Sequence, residues 1–259
     1  MALDHIVDEN KYPLGREDFQ TQCRKILETE GALVFPGFLK ETAIVEIHND
    51  GKNKQSSAYF CEQRHNVYLT PSDPDYPTDH IRNHEVVTTK GCITDDQVPD
   101  NSPLRELYDS DAFKHFLCEV LGEQALHPYA DPLSSINLHF TGDGQELGWH
   151  FDNSSFAITL MIQSPDDGGS FDYIKDLRNA DTGDMNFGGV KDALAGEIEF
   201  ESLSMPAGTL VLFRGRNSLH RVAPVKGNTT RMLAVLAYNS KSGISLSENA
   251  RMTFFGRLN

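Results

Sequence analysis

The 259-residue sequence predicts a mainly β fold with flanking helices: an antiparallel sandwich or barrel preceded by a helical elaboration. From about residue 131, short β-rich runs are separated by Gly, Pro, Asp and Asn, a texture typical of antiparallel sheets. Before that point, apolar residues recur at helical spacing and long polar stretches intervene. We therefore expect one domain over 1–259, with the elaboration over about 1–130 and the β core over about 131–259.

The helices of the first half are indicated by periodicity and by end signals. The segment 16–30 places apolar residues on one face, and Gly31 stands where a C-terminal cap belongs. A second helix is expected over about 41–49. Ser102-Pro103 has the form of an N-cap followed by proline at the first helical position, and Ser110 opens a further helix after a break. Gly122 closes that helix.

The remaining segments are predicted strands and loops. Residues 32–35 form a short apolar strand, whereas 51–101 are rich in Asp, Pro, Asn and Thr and predict long loops with at most one short strand at 67–69. Residues 175–195 are an insertion rich in Gly, Asn and Asp. The strands of the β core are predicted over 136–140, 149–152, 156–162, 169–174, 198–200, 209–213 and 232–238.

Charge and composition narrow the classes of partner. The formal charge is −15, and no basic run could follow a phosphate backbone, so nucleic acid and anionic membrane surfaces are not expected as partners. The four cysteines are scattered without C-x-x-C pairing, which predicts reduced thiols. The first residues lack the basic and apolar regions of a signal peptide, and no run reaches membrane-spanning length, so we expect a cytoplasmic protein.

A candidate metal site is the most informative feature of the chain. His150 and Asp152 are two residues apart in a predicted strand, so alternation points both side chains to the same face. The distant His220 could complete a facial triad of two imidazoles and one carboxylate, which leaves positions open on an octahedral Fe(II). His150, Asp152 and His220 are thus the predicted metal ligands and catalytic residues. A hydrolytic zinc site with the same ligands remains an alternative.

Arg231 favours an oxygenase over a zinc hydrolase. This arginine lies at the start of the last predicted strand, taken here as 230–238, eleven residues after His220, where an unpaired buried cation would be costly. Its guanidinium fork suits a carboxylate, and the distal carboxylate of 2-oxoglutarate fits that role. A structural salt bridge is the alternative.

Other contacts with the cosubstrate and the substrate are predicted from position. His139 shares a strand face with Asn137, so the two are candidate cosubstrate contacts, although a satisfied interior histidine is the alternative for His139. The candidate substrate contacts, each of which could instead be ordinary loop bonding or packing, are Asn66, Tyr68, Asn153, Arg216 and Phe255.

The pattern His150-x-Asp152, His220 and Arg231 resembles the Fe(II)/2-oxoglutarate-dependent oxygenase superfamily. A narrower likeness lies in 213–238 (FRGRNSLHRVAPVKGNTTRMLAVLAY) and in the tail 247–257 (SENARMTFFGR), which resemble the group that contains the free-amino-acid halogenases and hydroxylases of the BesD and HalB type. The resemblance implies a double-stranded β-helix, the cupin-like jelly roll. It also implies Fe(II) and 2-oxoglutarate as cofactors, with O₂ as cosubstrate.

One departure from this group bears on the reaction. Its halogenases replace the metal carboxylate with a small residue so that chloride can bind the metal, whereas Asp152 fills that position here. The resemblance therefore implies a dioxygenase that hydroxylates an unactivated C–H bond of a free amino acid or a similar small polar molecule. Desaturation or another oxidative outcome on the same scaffold, and a non-catalytic cupin-like metal-binding module, remain alternatives.

Overall fold

The computed structural model describes residues 3–259. A curled antiparallel sheet is flanked by helices, and four of the six α-helices lie within residues 17–121. Two short 3₁₀ turns lie at Gln55–Ser57 and Asp95–Gln97. The α-helices are α1 (Glu17–Glu30), α2 (Glu41–Lys54), α3 (Pro103–Asp109), α4 (Asp111–Leu121), α5 (Phe187–Leu194) and α6 (Glu248–Phe255).

The strands fall into an N-terminal group and a C-terminal group. The first group is β1 (Ala32–Phe35), β2 (Tyr59–Asn66) and β3 (Glu85–Ile93). The second group is β4 (Ile136–Thr141), β5 (Leu147–His150), β6 (Ala157–Gln163), β7 (Asp167–Gly168), β8 (Phe171–Ile174), β9 (Glu201–Leu203), β10 (Leu210–Phe213), β11 (Leu219–Val222), β12 (Val225–Lys226) and β13 (Arg231–Leu236).

The sheet curls because β3 connects two halves. One half runs β1-β10-β6-β13-β4-β3, and the other runs β5-β11-β8-β9. The C-terminal part of β3 pairs with β4, while Thr88 earlier in the same strand pairs with Leu147 of β5. This mainly β, curled antiparallel architecture with flanking helices confirms the predicted jelly roll.

The helical layer packs against the larger half of the sheet through aromatic side chains. Phe19 of α1 and Phe116 of α4 both stack near Phe35 of β1, with ring centroids about 6 Å apart. The predicted end signals are present: Gly31 and Gly122 adopt the left-handed conformation with φ of 76° at the ends of α1 and α4.

The prediction that 51–101 form long loops with one short strand at 67–69 is wrong. Strands β2 and β3 pair along eight residue positions, from Tyr59 opposite Cys92 to Asn66 opposite Glu85. Residues 67–69 follow β2 as a turn. Strand β2 lies at a sheet edge and leaves most of its side chains partly or fully exposed, so it lacks the apolar alternation by which strands are recognised.

Several boundaries also differ from the predictions. Helix α2 continues to Lys54, and the predicted strand at 149–152 ends at His150, so Asp152 lies in a loop. The strand predicted at 198–200 lies at Glu201–Leu203 instead. Strand β11, which carries His220, was not among the predicted strands, and α5 lies within the segment predicted as an insertion.

Across residues 3–259, no helix combines the length and the apolar character that crossing a membrane requires. The four cysteines are free thiols, of which Cys23 and Cys92 are buried. Burial raises the pKa of each of these two thiols to about 12, so both are protonated at neutral pH.

Candidate metal centre

Two paired strands bring the predicted histidine ligands together. Strands β5 and β11 run antiparallel, and His150 and His220 are direct partners in their register. The centroids of the two imidazole rings are 4.2 Å apart. The two histidines are 70 residues apart in the sequence but adjacent in space, because strand pairing places their positions opposite each other.

Backbone carbonyls fix the orientation of both imidazoles. His150 donates from Nδ1 to the carbonyl oxygen of Gly148 at 2.7 Å, and His220 donates from Nδ1 to that of Ser218 at 3.0 Å. A carbonyl oxygen can only accept, so each Nδ1 carries a proton and each Nε2 is the nitrogen left to bind a metal. Metal-binding histidines in proteins are held in this way.

Asp152 reaches the histidines from the loop after β5. Its backbone N–H donates to the carbonyl oxygen of Gly215 at 3.1 Å, which joins this loop to the one before β11. A Cβ atom on Gly215 would lie 1.9 Å from the Asp152 Oδ2 atom, so only glycine leaves space for the carboxylate there. The glycine therefore has a positioning role that its sequence context did not reveal.

The three side chains form a compact group. Asp152 Oδ1 lies 3.9 Å from His150 Nε2 and 3.5 Å from His220 Nε2. Over residues 3–259 these are the only His, Cys, Asp or Glu side chains that form a potential metal-binding cluster, and their ligand atoms lie within 4.8 Å of one another. Asp152 Oδ2 is buried without a hydrogen-bond partner. Two free imidazole nitrogens and an unsatisfied carboxylate oxygen fit a divalent metal ion.

The protonation states also suit a metal. Burial and the neighbouring His220 lower the pKa of His150 to about 3, so this imidazole is neutral at physiological pH. Burial opposes ionisation of Asp152, but attraction and hydrogen bonding from His220 outweigh it and hold the pKa of this carboxyl below its usual value. His150 and Asp152 are therefore already in the protonation states that bind a cation.

A cavity of about 270 Å³ opens in front of the triad, and Arg231 lies in its wall. The arginine side chain is only 2 % exposed, and its Nε donates to the carbonyl oxygen of Gly169 at 3.1 Å. Burial lowers its pKa to about 10, so it remains a cation. Among residues 3–259 no carboxylate forms an ion pair with it.

A second wall of the cavity comes from strands that the sequence did not reveal. The β2–β3 wall consists of Gln63, His65, Thr88 and Lys90. Thr88 Oγ1 accepts from the Gly148 N–H at 3.0 Å and lies 2.8 Å from His65 Nε2. Since Gly148 also holds His150, this wall is tied to the metal end by hydrogen bonds.

The predicted cosubstrate contacts on β4 have different surroundings. His139 lines the cavity and lies 3.2 Å from the Lys90 Nζ atom, from which it can accept only as a neutral imidazole. Burial and the charges of Lys90 and Arg231 lower the pKa of His139 well below its usual value. Asn137 is not among the cavity-lining residues, because its amide folds back onto the carbonyl oxygens of Leu133 and Ile136.

The five predicted substrate contacts do not line the cavity. Asn66 accepts backbone N–H groups in the turn after β2, and the buried Tyr68 hydroxyl donates to the Met185 carbonyl oxygen. Arg216 pairs with Asp181 at 3.0 Å and donates to the backbone oxygen of the exposed Asn153.

The fifth, Phe255, packs with Cys92 and Leu133 away from the cavity. Its neighbour Phe254 lines the cavity instead. The two side chains point apart because both belong to helix α6, in which adjacent residues lie on different faces.

The comparison with family sequence models decides the family. The model described as HalD, Halogenase D, matches residues 77–253, which is more than half of the chain and includes the triad and Arg231. The chain belongs to the Halogenase D family. No curated protein matches this member of the family.

Solved structures similar to this Halogenase D family member share its fold. They include a 2OG-Fe(II) oxygenase family oxidoreductase from Burkholderia pseudomallei, with 13 % identity, a TM-score of 0.55, and coverage of 89 % of this chain and 95 % of that one. The alpha-ketoglutarate-dependent carbocyclase SnoK from nogalamycin biosynthesis has 12 % identity, a TM-score of 0.61 and coverage of 89 % of both chains. A prolyl hydroxylase from Trichoplax adhaerens has 13 % identity, a TM-score of 0.56, and coverage of 86 % and 90 %.

These likenesses establish the fold of the chain. The fold is the one on which these oxygenases are built, and the His-Asp-His group has the ligand types that suit Fe(II). The predicted cofactors, Fe(II) and 2-oxoglutarate, are those that the name of the Burkholderia pseudomallei oxidoreductase's family carries, and the triad of this chain fits the metal.

Proposed function

We propose that the protein is an Fe(II)- and 2-oxoglutarate-dependent dioxygenase that hydroxylates a free amino acid or a similar small polar molecule. The observation that carries this proposal is the conjunction of the triad with the buried, unpaired Arg231 in one cavity. A zinc hydrolase has no need of that cation, whereas a dicarboxylate cosubstrate does.

Each residue has a distinct role in the proposal. His150, Asp152 and His220 hold the metal, with the imidazoles oriented by the carbonyls of Gly148 and Ser218. Arg231 binds the distal carboxylate of 2-oxoglutarate and thereby orients the oxo acid towards the metal. When bound, iron and 2-oxoglutarate supply the activation of O₂ for attack on an unactivated C–H bond.

Asp152 favours hydroxylation over halogenation, despite the name of the family. Its carboxylate occupies the ligand position that a halide would need, and Gly215 provides the space that keeps it there. Three protein ligands, a bidentate cosubstrate and O₂ would together fill the six positions of an octahedral metal ion. No position would then be left for chloride. We therefore propose transfer of hydroxyl to the substrate.

The size and lining of the cavity support a small substrate. Its volume of about 270 Å³ lies below the range of about 300–1,000 Å³ that is usual for drug-sized ligands, and 2-oxoglutarate must share it. Polar groups from β2 and β3 line one wall, which suits a polar molecule. The resemblance of the tail 247–257 to the free-amino-acid group supports the substrate class.

Succinate formation tests the proposal. Purified protein is loaded with Fe(II) under anaerobic conditions, supplied with 2-oxoglutarate and one of the common L-amino acids, and then exposed to air. We expect an amino acid to stimulate succinate formation and to gain one oxygen atom by mass spectrometry. A loss of two hydrogens would instead indicate desaturation, and iron-loaded protein that forms no succinate with any amino acid or amine would contradict the substrate class.

A further inference from the structure

Lys90 presents a charge that the proposed function does not use. Its side chain is part-buried and lines the cavity. Its ammonium is 3.3 Å from His139 Nδ1 and 6.0 Å from the centre of the Phe254 ring, and within residues 3–259 no carboxylate forms an ion pair with it. Burial lowers the pKa of this ammonium, as expected for a cation without a counter-ion.

Lys90 and Arg231 are separated by a neutral group. The three neighbouring strands β3, β4 and β13 carry Lys90, His139 and Arg231 respectively, and each of these residues lines the cavity. Burial and the charges of both cations lower the pKa of His139 well below its usual value, so this imidazole is neutral. The cavity therefore presents two separate unpaired cations, so two separate anionic groups are needed to compensate them.

A count of formal charges shows that 2-oxoglutarate alone does not neutralise the positive charge of the metal-loaded cavity. Asp152 is the only acidic residue among the residues that line the cavity, and Arg221 is already paired with Asp172 at 2.9 Å. A divalent metal with Asp152, Lys90 and Arg231 gives three net positive charges, of which the 2-oxoglutarate dianion compensates two. One positive charge remains for another ligand.

Both carboxylates of 2-oxoglutarate have other partners in the proposed function. One is part of the oxo acid that chelates the metal, and the other binds the fork of Arg231. We propose that Lys90 binds a carboxylate of the substrate, so that the amino acid is recognised by its acid group at the β2–β3 wall. This inference rests on the proposed function, because it assigns the substrate to the same cavity.

The test compares an amino acid with its α-amide. Among the common L-amino acids, the one that most strongly stimulates succinate formation is titrated anaerobically, by calorimetry, into wild-type protein loaded with Fe(II) and 2-oxoglutarate, and so is its amide. We expect the acid to bind roughly 10- to 100-fold more tightly than the amide, which corresponds to one hydrogen-bonded charge.

The variant Lys90→Met should abolish that preference. It should weaken binding of the acid to the level of the amide while leaving the dissociation constant of 2-oxoglutarate within about twofold of wild type. Lys90→Arg should restore part of the preference because it keeps the charge. Lys25→Met, which removes the same charge from the exposed face of α1, is the matched control and should behave as wild type.

Three results would overturn the inference. Equal binding of acid and amide by the wild type would exclude a carboxylate contact. A large loss of 2-oxoglutarate affinity in Lys90→Met would assign the lysine to the cosubstrate. Binding of 2-oxoglutarate without binding of any amino acid would exclude amino acids as substrates, and with them the proposed role of Lys90.

Two further readouts separate this inference from the proposed function and from a structural role. Failure of the wild type to form succinate from 2-oxoglutarate is a different result, which would contradict the proposed function itself. Ligand-free Lys90→Met should melt no lower than wild type, since it removes a cation that has no carboxylate partner. A clearly lower melting temperature would indicate a structural lysine and would overturn the inference.

Discussion

The two ends of the cavity differ in how their polar groups are satisfied. At the metal end, backbone carbonyls hold both imidazoles, and Gly215 leaves space for the carboxylate. At the other side, Lys90 and Arg231 have no carboxylate partner within residues 3–259. The protein thus preorganises the metal ligands through its own backbone, whereas the two cations depend on bound ligands for compensation.

The largest effect is expected from removing a ligand at the metal end. Asp152→Gly leaves two imidazoles and should weaken Fe(II) binding by more than about 100-fold, the upper range for loss of a supporting contact. Bound iron is measured after dialysis, with Asp79→Gly at an exposed loop position as the control. Hydroxylation at the wild-type rate by Asp152→Gly would show that Asp152 is not a ligand. Chloride transfer to the substrate would show that the vacated position accepts halide.

The next largest effect should come from the cation that orients 2-oxoglutarate. Arg231→Met should cost about 2–5 kcal/mol of 2-oxoglutarate binding, which is roughly 30-fold or more, with Fe(II) binding unchanged. The 2-oxoglutarate affinity of Arg231→Lys should lie between those of wild type and Arg231→Met, because lysine keeps the charge but lacks the guanidinium fork. Anaerobic titration measures the dissociation constants of Fe(II) and of 2-oxoglutarate. Arg16→Met, which breaks an exposed ion pair, is the control. Unchanged 2-oxoglutarate affinity would favour the structural role for Arg231.

A smaller effect is expected from Gly215, which positions Asp152 without binding the metal. In Gly215→Ala, the new methyl group would lie 1.9 Å from Asp152 Oδ2, so the carboxylate must move. We expect a loss of Fe(II) affinity of roughly 10- to 100-fold while the protein remains folded. Gly188→Ala is a matched control, since nothing lies within 4 Å of its added methyl group. Equal iron affinity in the two variants would contradict the positioning role.

The smallest effect concerns pH and the metal-free protein. Burial and His220 lower the pKa of His150 to about 3 in the folded state, below the value of about 6.5 in an unfolded chain. The unfolded state therefore binds more protons as the pH falls below about 6.5, and folding stability decreases. His150 should contribute up to about 1 kcal/mol of this loss per pH unit.

Thermal melting between pH 7 and 5.5 measures that contribution. In the absence of metal, His150→Gln should show a weaker loss of stability on acidification than wild type. His115→Gln, at an exposed position of α4, should retain the wild-type dependence. A wild-type melting temperature that rises on acidification would contradict the neutral state assigned to His150.

Sequence reasoning anticipated the metal end better than the β2–β3 wall. The pair His150 and Asp152 is close in sequence, and its chemistry is specific enough to be recognised even though Asp152 lies beyond the end of its strand. The wall depends on β2, whose exposed edge position removes the apolar pattern that reveals strands. Lys90 and Thr88 become neighbours of the site only through the long-range pairing of β3 with β4 and β5, so no local signal identified them.

The predicted cosubstrate and substrate contacts also depend on features that sequence spacing does not reveal. Alternation placed His139 and Asn137 on one strand face, but it could not predict that His139 lines the cavity while the Asn137 amide bonds to the carbonyl oxygens of Leu133 and Ile136. Nor could it distinguish Phe254 from Phe255, because their directions depend on how α6 packs on the sheet. Spacing fixes which side chains share a face, whereas side-chain hydrogen bonds and packing decide which of them reach the cavity.

An anaerobic crystal structure with Fe(II) and 2-oxoglutarate tests the central claim most directly. We expect an anomalous iron peak bound by His150, Asp152 and His220, with the distal carboxylate of 2-oxoglutarate on the Arg231 guanidinium and Lys90 left free. A metal bound elsewhere, or 2-oxoglutarate held by Lys90 with Arg231 uncontacted, would contradict the account.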